Sequence, residues 1–117
     1  MNMRSLSEGE KSLIARFAEK LDDAEKEQLL ADAAHAMAKN TVADGSIILF
    51  EIVDYPRRPP YGGRCLFRVE GKMLDSDNTE LSVLLHADEN GRLLELEFIR
   101  WDSNDLLSPQ WDTLQVF

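Results

Sequence analysis

The stretch Glu89–Asp102, "ENGRLLELEFIRWD", decides the fold. From Leu94 its apolar residues fall on even positions, Leu94, Leu96 and Phe98, while Glu95 and Glu97 take the odd ones. Successive side chains of a strand point to opposite faces, so the segment reads as a strand with one buried face and two carboxylates on the other. The preceding run "TELSVLLHA" has the same period, and Asn90-Gly91 between the two is a hairpin signal. A two-residue Asn90-Gly91 loop pairs residues whose numbers sum to 181. Leu85 then faces Leu96 and Val83 faces Phe98, with Ala87 and Leu94 completing one apolar face. The other face sets His86 beside Glu95, Leu84 beside Glu97, Ser82 beside Ile99 and Glu80 beside Trp101, with Leu93 among them. A three-residue loop with Gly91 in a bulge gives a sum of 180 and sets Leu85 against Glu95, which buries acids with the core; the first register is therefore preferred.

Upstream, two helices are expected. Ser5 with Glu8 and Ser7 with Glu10 both have capping-box spacing, and Leu13, Ile14, Phe17 and Leu21 form one inward stripe. Asp22 and Asp23 cap a second helix, "AEKEQLLADAAHAMAKN", with Leu29, Leu30, Ala33 and Met37 on one face and its end at Asn40 and Ala43–Gly45. His35 reads as a packing or surface residue of that helix. Beyond Gly45, "SIILFEIVD" is a nearly continuous apolar strand suited to a central position, with Ile47, Leu49 and Phe50 among its buried residues. "YPRRPPYGG" breaks it, because prolines remove ladder donors and the double glycine permits positive φ. "RCLFRVEG" resumes as a strand. Trp111, Leu114 and Phe117, spaced by three, imply a tail that folds back onto the body. The expected fold is α+β in a single domain of residues 1–117: two N-terminal helices over about 7–39, a four-stranded antiparallel meander over about 46–102, and a tail of 103–117.

Charge is unevenly distributed. The 117 residues carry a net charge of −9, divided as −3 over residues 1–45, +2 over 46–74 and −8 over 75–117. An anionic last third disfavours nucleic acid and acidic membranes and favours a basic partner; the alternative is that the acids serve solubility alone. The lone Cys65 has no internal disulfide partner, in keeping with a reducing, cytoplasmic setting. Neither a signal-peptide core nor an apolar run long enough for a membrane helix occurs in the sequence.

Candidate functional residues follow from the hairpin. Glu95, Glu97, Ile99, Trp101 and Asp102, with His86 beside them, form an acidic patch with an aromatic anchor, a composition suited to docking a basic protein. The competing reading has the helices or the tail covering Trp101. A second candidate is a small-ligand or enzymatic pocket near Tyr55, Tyr61, Arg64 and Cys65. Glu95 and Glu97 lie side by side on one strand, so they do not flank a substrate as a glycosidase pair must. Asp75 and Asp77 in "DSDNTE" begin like a calcium loop, but Glu80 stands where glycine is required and His86 where a bidentate glutamate is; the segment reads as a polar hairpin turn. Cys65 has only His35 and His86 as candidate bases and reads better as a small hydrophobe. No phosphate-binding glycine motif occurs, and no cofactor or metal is implied. "PRRP" at 56–59 has polyproline-ligand spacing, and Arg57, Arg58, Arg64 and Arg68 form the one basic zone.

"GRLLELEFIRWD", preceded by "LHADEN" and "RPPYGG", resembles a small, mostly bacterial family of unknown function. Its members carry an acidic strand running from an Asn-Gly-type turn through Leu-x-Glu-Leu to a basic residue, a large apolar residue and Asp. The resemblance covers about residues 54–102, with a weaker echo in "LSEGEKSLI". Several similar small acidic families are immunity proteins that block toxins delivered between bacteria, so the resemblance implies an inhibitory protein whose partner is a basic toxin. It carries no catalytic residues.

Overall fold

The computed structural model describes residues 3–57 and 65–117, with Cys65 and Leu66 described by their backbone alone. In chain order the elements are β1 (Arg4–Ser5), α1 (Glu8–Ala18), α2 (Asp23–Ala34), β2 (Ala36–Asn40), β3 (Ile47–Ile52), β4 (Cys65–Leu66), β5 (Gly71–Leu74), β6 (Glu80–Ala87), β7 (Leu93–Arg100) and β8 (Gln110–Val116). All strands join one antiparallel sheet ordered β1-β2-β3-β7-β6-β5-β8, with β4 also paired to β6.

The α+β class stands, but the four-stranded meander does not. β3 pairs with β7 rather than with the strand that follows it in sequence, because two central, largely apolar strands bury most area side by side. Of the described residues in the run expected as one strand, "RCLFRVEG", Cys65–Leu66 form β4 and Gly71 begins β5, which continues to Leu74; both strands lie along β6. The folded-back tail is a sheet strand, β8, paired with β5. The second helix is also shorter than its alanine content implied. It ends at Ala34 with His35 as its C-cap, and "AMAKN" is β2, paired with β3 from Ala36↔Ile52 to Asn40↔Ile48. Helix propensity is a weak prior, and here the open edge of β3 outweighs it. Ala38, fully buried opposite Phe50, lies on the inner face of the sheet as part of the core.

Each helix begins with a cap read correctly from the sequence. Ser7 and Glu10 form the capping box of α1, and Asp22 accepts the Glu25 N–H at 2.8 Å at the start of α2. Glu10 does more than cap. Its buried carboxylate takes both guanidinium nitrogens of Arg4, at 2.8 and 2.7 Å, tying β1 to the helix. The core forms where Leu13, Ile14 and Phe17 of α1 and Leu29 of α2 meet Phe50, Val83, Leu85, Leu96 and Phe98 of the sheet. Gly71 is required there, since a Cβ at that position would stand 2.8 Å from Phe17 Cζ. Trp111 packs edge-on to Phe98, with ring centroids 5.6 Å apart, and lies against Gly9.

The hairpin between β6 and β7 combines the two registers that the sequence sets against each other. Asp88 N–H donates to Arg92 O at 2.8 Å and Gly91 N–H to Asp88 O at 3.0 Å, with Gly91 at φ +75° and Asn90 outside the positive-φ region. The loop is therefore a three-residue one, and Ala87 faces Leu93, a sum of 180. Asp88 selects it over the two-residue loop, because its Oδ1 accepts the N–H groups of Asn90 and Arg92 at 2.8 and 3.0 Å. One residue later a bulge in β7 restores the sum of 181, and His86↔Glu95, Leu85↔Leu96, Leu84↔Glu97, Val83↔Phe98 and Ser82↔Ile99 all pair as expected. The bulge changes the fate of two leucines. Leu93, expected on the outer face, is fully buried in the main core, whereas Leu94 is buried outside that cluster.

Asp32 of α2 pins the bulge. Its carboxylate accepts the Leu93 N–H at 3.1 Å and grips Arg92 through Nε and Nη2, the latter at 2.7 Å, with only 1% of its side chain exposed. Replacing Asp32 with alanine is expected to cost on the order of 3 kcal/mol in urea unfolding, because a buried charge partner and the acceptor for a bulge amide vanish together. Asn at the same position is expected to lose less, since its Oδ1 still serves Leu93. Gly71→Ala is expected to destabilise by roughly 1–3 kcal/mol in the same measurement, through overpacking against Phe17.

Candidate functional site

From Glu95 onward, even positions of β7 face the helices and odd positions face away. The outer face therefore collects Met37 and Lys39 of β2, Ile47, Leu49 and Glu51 of β3, Glu95, Glu97 and Ile99 of β7, Ser82, Leu84 and His86 of β6, and Lys72 and Leu74 of β5. Ile47, Leu49, Leu84 and Ile99 are half-buried. Trp101 follows β7 and leans over this face, donating its Nε1–H to Ser82 Oγ at 2.9 Å while 73% of its surface stays exposed. Neither the helices nor the tail covers it. Glu95 and Glu97 also lie outside the core, as the alternation required.

His86 is the buried polar residue of the face, 7% exposed, and its Nε2 lies 3.1 Å from Glu97 Oε1. Glu95, directly opposite His86 in the ladder, brings a carboxylate oxygen into the same cluster and is itself engaged. The three ligand-type atoms lie within 4.8 Å of one another.

Asp102 belongs elsewhere. It pairs with Arg100 at 2.6 Å and accepts the Asn104 N–H at 3.0 Å, so it is held in a loop anchor and not presented beside Glu97. Arg100 is the hub of that anchor: its side chain, 5% exposed, meets Asp75, Asp77 and Asp102. Asp75 in turn accepts the N–H groups of Ser76, Leu107 and Ser108. Burial alone would raise the Asp75 pKa, but the backbone N–H of Leu107, the Arg100 guanidinium and the other amides outweigh it and hold the carboxyl below the usual range. The guanidinium of Arg100, with the Asn104 amide, likewise lowers Asp102. "DSDNTE" is thus the turn expected, with Asn78 at φ +66°, and its acids serve an arginine in place of calcium.

Of the alternative pocket residues, Tyr61 and Arg64 lie outside the described residues, as do Arg58 and the rest of 58–64, and nothing is described of the Cys65 side chain. Tyr55 lines a shallow depression with Glu51, Ile52, Asp54, Pro56 and Arg57, yet its polar tip is committed inward. Its hydroxyl donates to Asp88 Oδ2 at 2.8 Å. Arg57 Nε meets the same oxygen at 2.9 Å, and the remaining guanidinium nitrogens go to the carbonyls of Phe50 and Leu93. The Arg92 guanidinium stacks 4.3 Å from the Tyr55 ring centroid. Burial opposes ionisation of Asp88, but its donors, led by the Arg92 amide and then Arg57 and Tyr55, lower its pKa overall. Asp32, Asp88 and Arg92 were not singled out by sequence reasoning, and Arg57 was read as part of a basic zone and not as a partner of Asp88. Asp88 two residues before Asn90 is the one available signal, an Asx-type turn; the Asp32–Arg92 pair spans 60 residues and leaves none.

The geometry defines an α+β domain whose antiparallel sheet carries both helices on one face and a mixed acidic and apolar surface on the other. Residues 3–110 match the family described as a domain of unknown function, DUF6984, and the chain belongs to that family. No curated protein and no solved structure matches it. Among the described residues no helix is long and apolar enough to cross a membrane.

The lowered carboxyls set the acid limb of stability. Glu10, Asp75 and Asp88 titrate lower in the folded chain than in the unfolded one, so their contribution is fully present above the ordinary carboxylate range and is lost as pH falls through the lower folded values. Urea midpoints are expected to fall steeply below about pH 4. Asp75→Asn is expected to lower the neutral-pH midpoint and to flatten that acid limb.

Proposed function

We propose that this domain is a protein-binding module whose outer sheet face docks a basic protein, with Trp101 as the anchor and Glu95 and Glu97 as the charged contacts. The observation that carries this reading is the exposure of Trp101, 73%, at the end of an apolar row that includes Leu84 and Ile99. A sheet face meant only for water alternates to polar residues, and this one does not. Its charge supports a cationic partner: Glu51, Glu80, Glu95 and Glu97 outnumber Lys39 and Lys72, and Lys72 is 3.4 Å from Glu80. Asp102, consumed by Arg100, is not among the contacts.

The resemblance to small acidic immunity families gives the reading its concrete form, inhibition of a basic toxin by occupation of its cationic surface. The pocket reading draws less support, because Tyr55 and Arg57 spend their polar groups on Asp88, Phe50 and Leu93.

Affinity capture from the native cell, repeated at rising salt, tests the proposal. A basic protein retained by the wild type, released by salt and lost with Trp101→Ala is the expected result. Trp101→Ala is expected to weaken binding by about 30-fold or more, as an interface anchor does, while changing stability by less than about 1 kcal/mol. A captured partner that Trp101→Ala binds equally well contradicts the assignment of this face.

A further inference from the structure

We propose that His86, Glu95 and Glu97 form a binding site for a single divalent transition-metal ion of the zinc class. Three features of the cluster carry this. The first is composition: one imidazole nitrogen and two carboxylate oxygens are a borderline donor set suited to such ions, and two carboxylates with a neutral imidazole balance a 2+ charge.

The second is distance. Neighbouring donors in a tetrahedral shell with bonds of about 2.0–2.2 Å stand roughly 3.3 Å apart. His86 Nε2 and Glu97 Oε1 are already 3.1 Å apart, and the Glu95 oxygen lies within 4.8 Å of both. Bringing the Glu95 oxygen from within 4.8 Å to about 3.3 Å is the adjustment that metal binding requires.

The third is preorganisation. The donors project from β6 and β7, the two central strands, in a register that pairs His86 directly with Glu95 and sets Glu97 one step along on the same face. His86 is more than nine-tenths buried, so its ring is held with Nε2 directed at the carboxylates rather than at solvent. Among the described residues the buried carboxylates differ in kind: Glu10 holds Arg4, Asp75 holds Arg100 together with Asp77 and Asp102, and Asp32 and Asp88 hold Arg92 and Arg57. In the His86 cluster an imidazole stands where those groupings have a guanidinium, and an imidazole is itself a metal ligand. Three protein donors leave a coordination position for water or a ligand.

The test is calorimetric titration of the full chain with Zn²⁺, with equilibrium dialysis for stoichiometry and ¹⁵N spectra of the histidine rings. One ion per chain and a shift confined to the His86 Nε2 resonance are expected. Glu97→Gln and His86→Gln are each expected to weaken binding at least about tenfold, whereas His35→Gln and Cys65→Ser leave it unchanged. Melting curves of each variant show that it is folded; if His86→Gln is not, Glu97→Gln and Glu95→Gln carry the test. Failure of the wild type to bind Zn²⁺, or binding that survives Glu97→Gln or is lost with Cys65→Ser, overturns the proposal. The probe is the metal alone, so the outcome is independent of whether a protein docks on the same face.

Discussion

One buried carboxylate fixes the geometry on which the rest depends. A β-bulge leaves a backbone amide without a ladder partner, and an unsatisfied buried N–H costs about as much as a lost hydrogen bond. Asp32 supplies the missing acceptor to Leu93 from across the helix–sheet interface, and Arg92 beside it neutralises the charge. With the bulge held, Leu93 turns into the core and the odd positions from Glu95 onward turn out. Without it, the three-residue loop dictated by Asp88 would carry its register down the whole hairpin and set Glu95 against Leu85. Helix α2, the turn and the outer face are therefore coupled through a few atoms.

That coupling divides the sheet into two surfaces with different duties. The inner face is closed by Leu13, Ile14, Phe17 and Leu29, and its ends are sealed by arginine–carboxylate clusters around Arg57, Arg92 and Arg100. These pairs are largely buried, and their hydrogen bonds are complete: no buried side-chain nitrogen or oxygen lacks a partner among the described residues. The outer face holds the mixture of Ile47, Leu49, Leu84, Ile99 and Trp101 with Glu95 and Glu97. Both proposals draw on this surface, one on its apolar rim and net charge, the other on the convergence of His86 with two carboxylates.

Much of this was legible in the sequence, and the failures have physical causes. Local signals with a mechanism held: the Ser7 and Asp22 caps, the helical stripe of Leu13, Ile14 and Phe17, and the parity of β6 and β7 down to the partners of Leu85 and Val83. Non-local decisions were not encoded in any window. The strand identity of "AMAKN" depends on the edge that β3 offers, and the β3–β7 pairing joins residues as far apart in sequence as Ile47 and Glu97. The turn was misread because Asn90-Gly91 resembles a two-residue loop, whereas the side chain of Asp88 selects another. At the candidate site, His86, Glu95, Glu97 and Trp101 fell together as the alternation implied, while Asp102 was drawn off by Arg100, a contact that face alternation does not reveal.

Cross-strand backbone NOEs along the β6–β7 hairpin test the central claim most directly, since they read residue pairing without reference to side chains. The account predicts that Ala87 pairs with Leu93 and that pairing then jumps by one residue, giving His86 opposite Glu95 and Leu85 opposite Leu96. A single unbroken register from Ala87 onward, with Glu95 opposite Leu85, would contradict it.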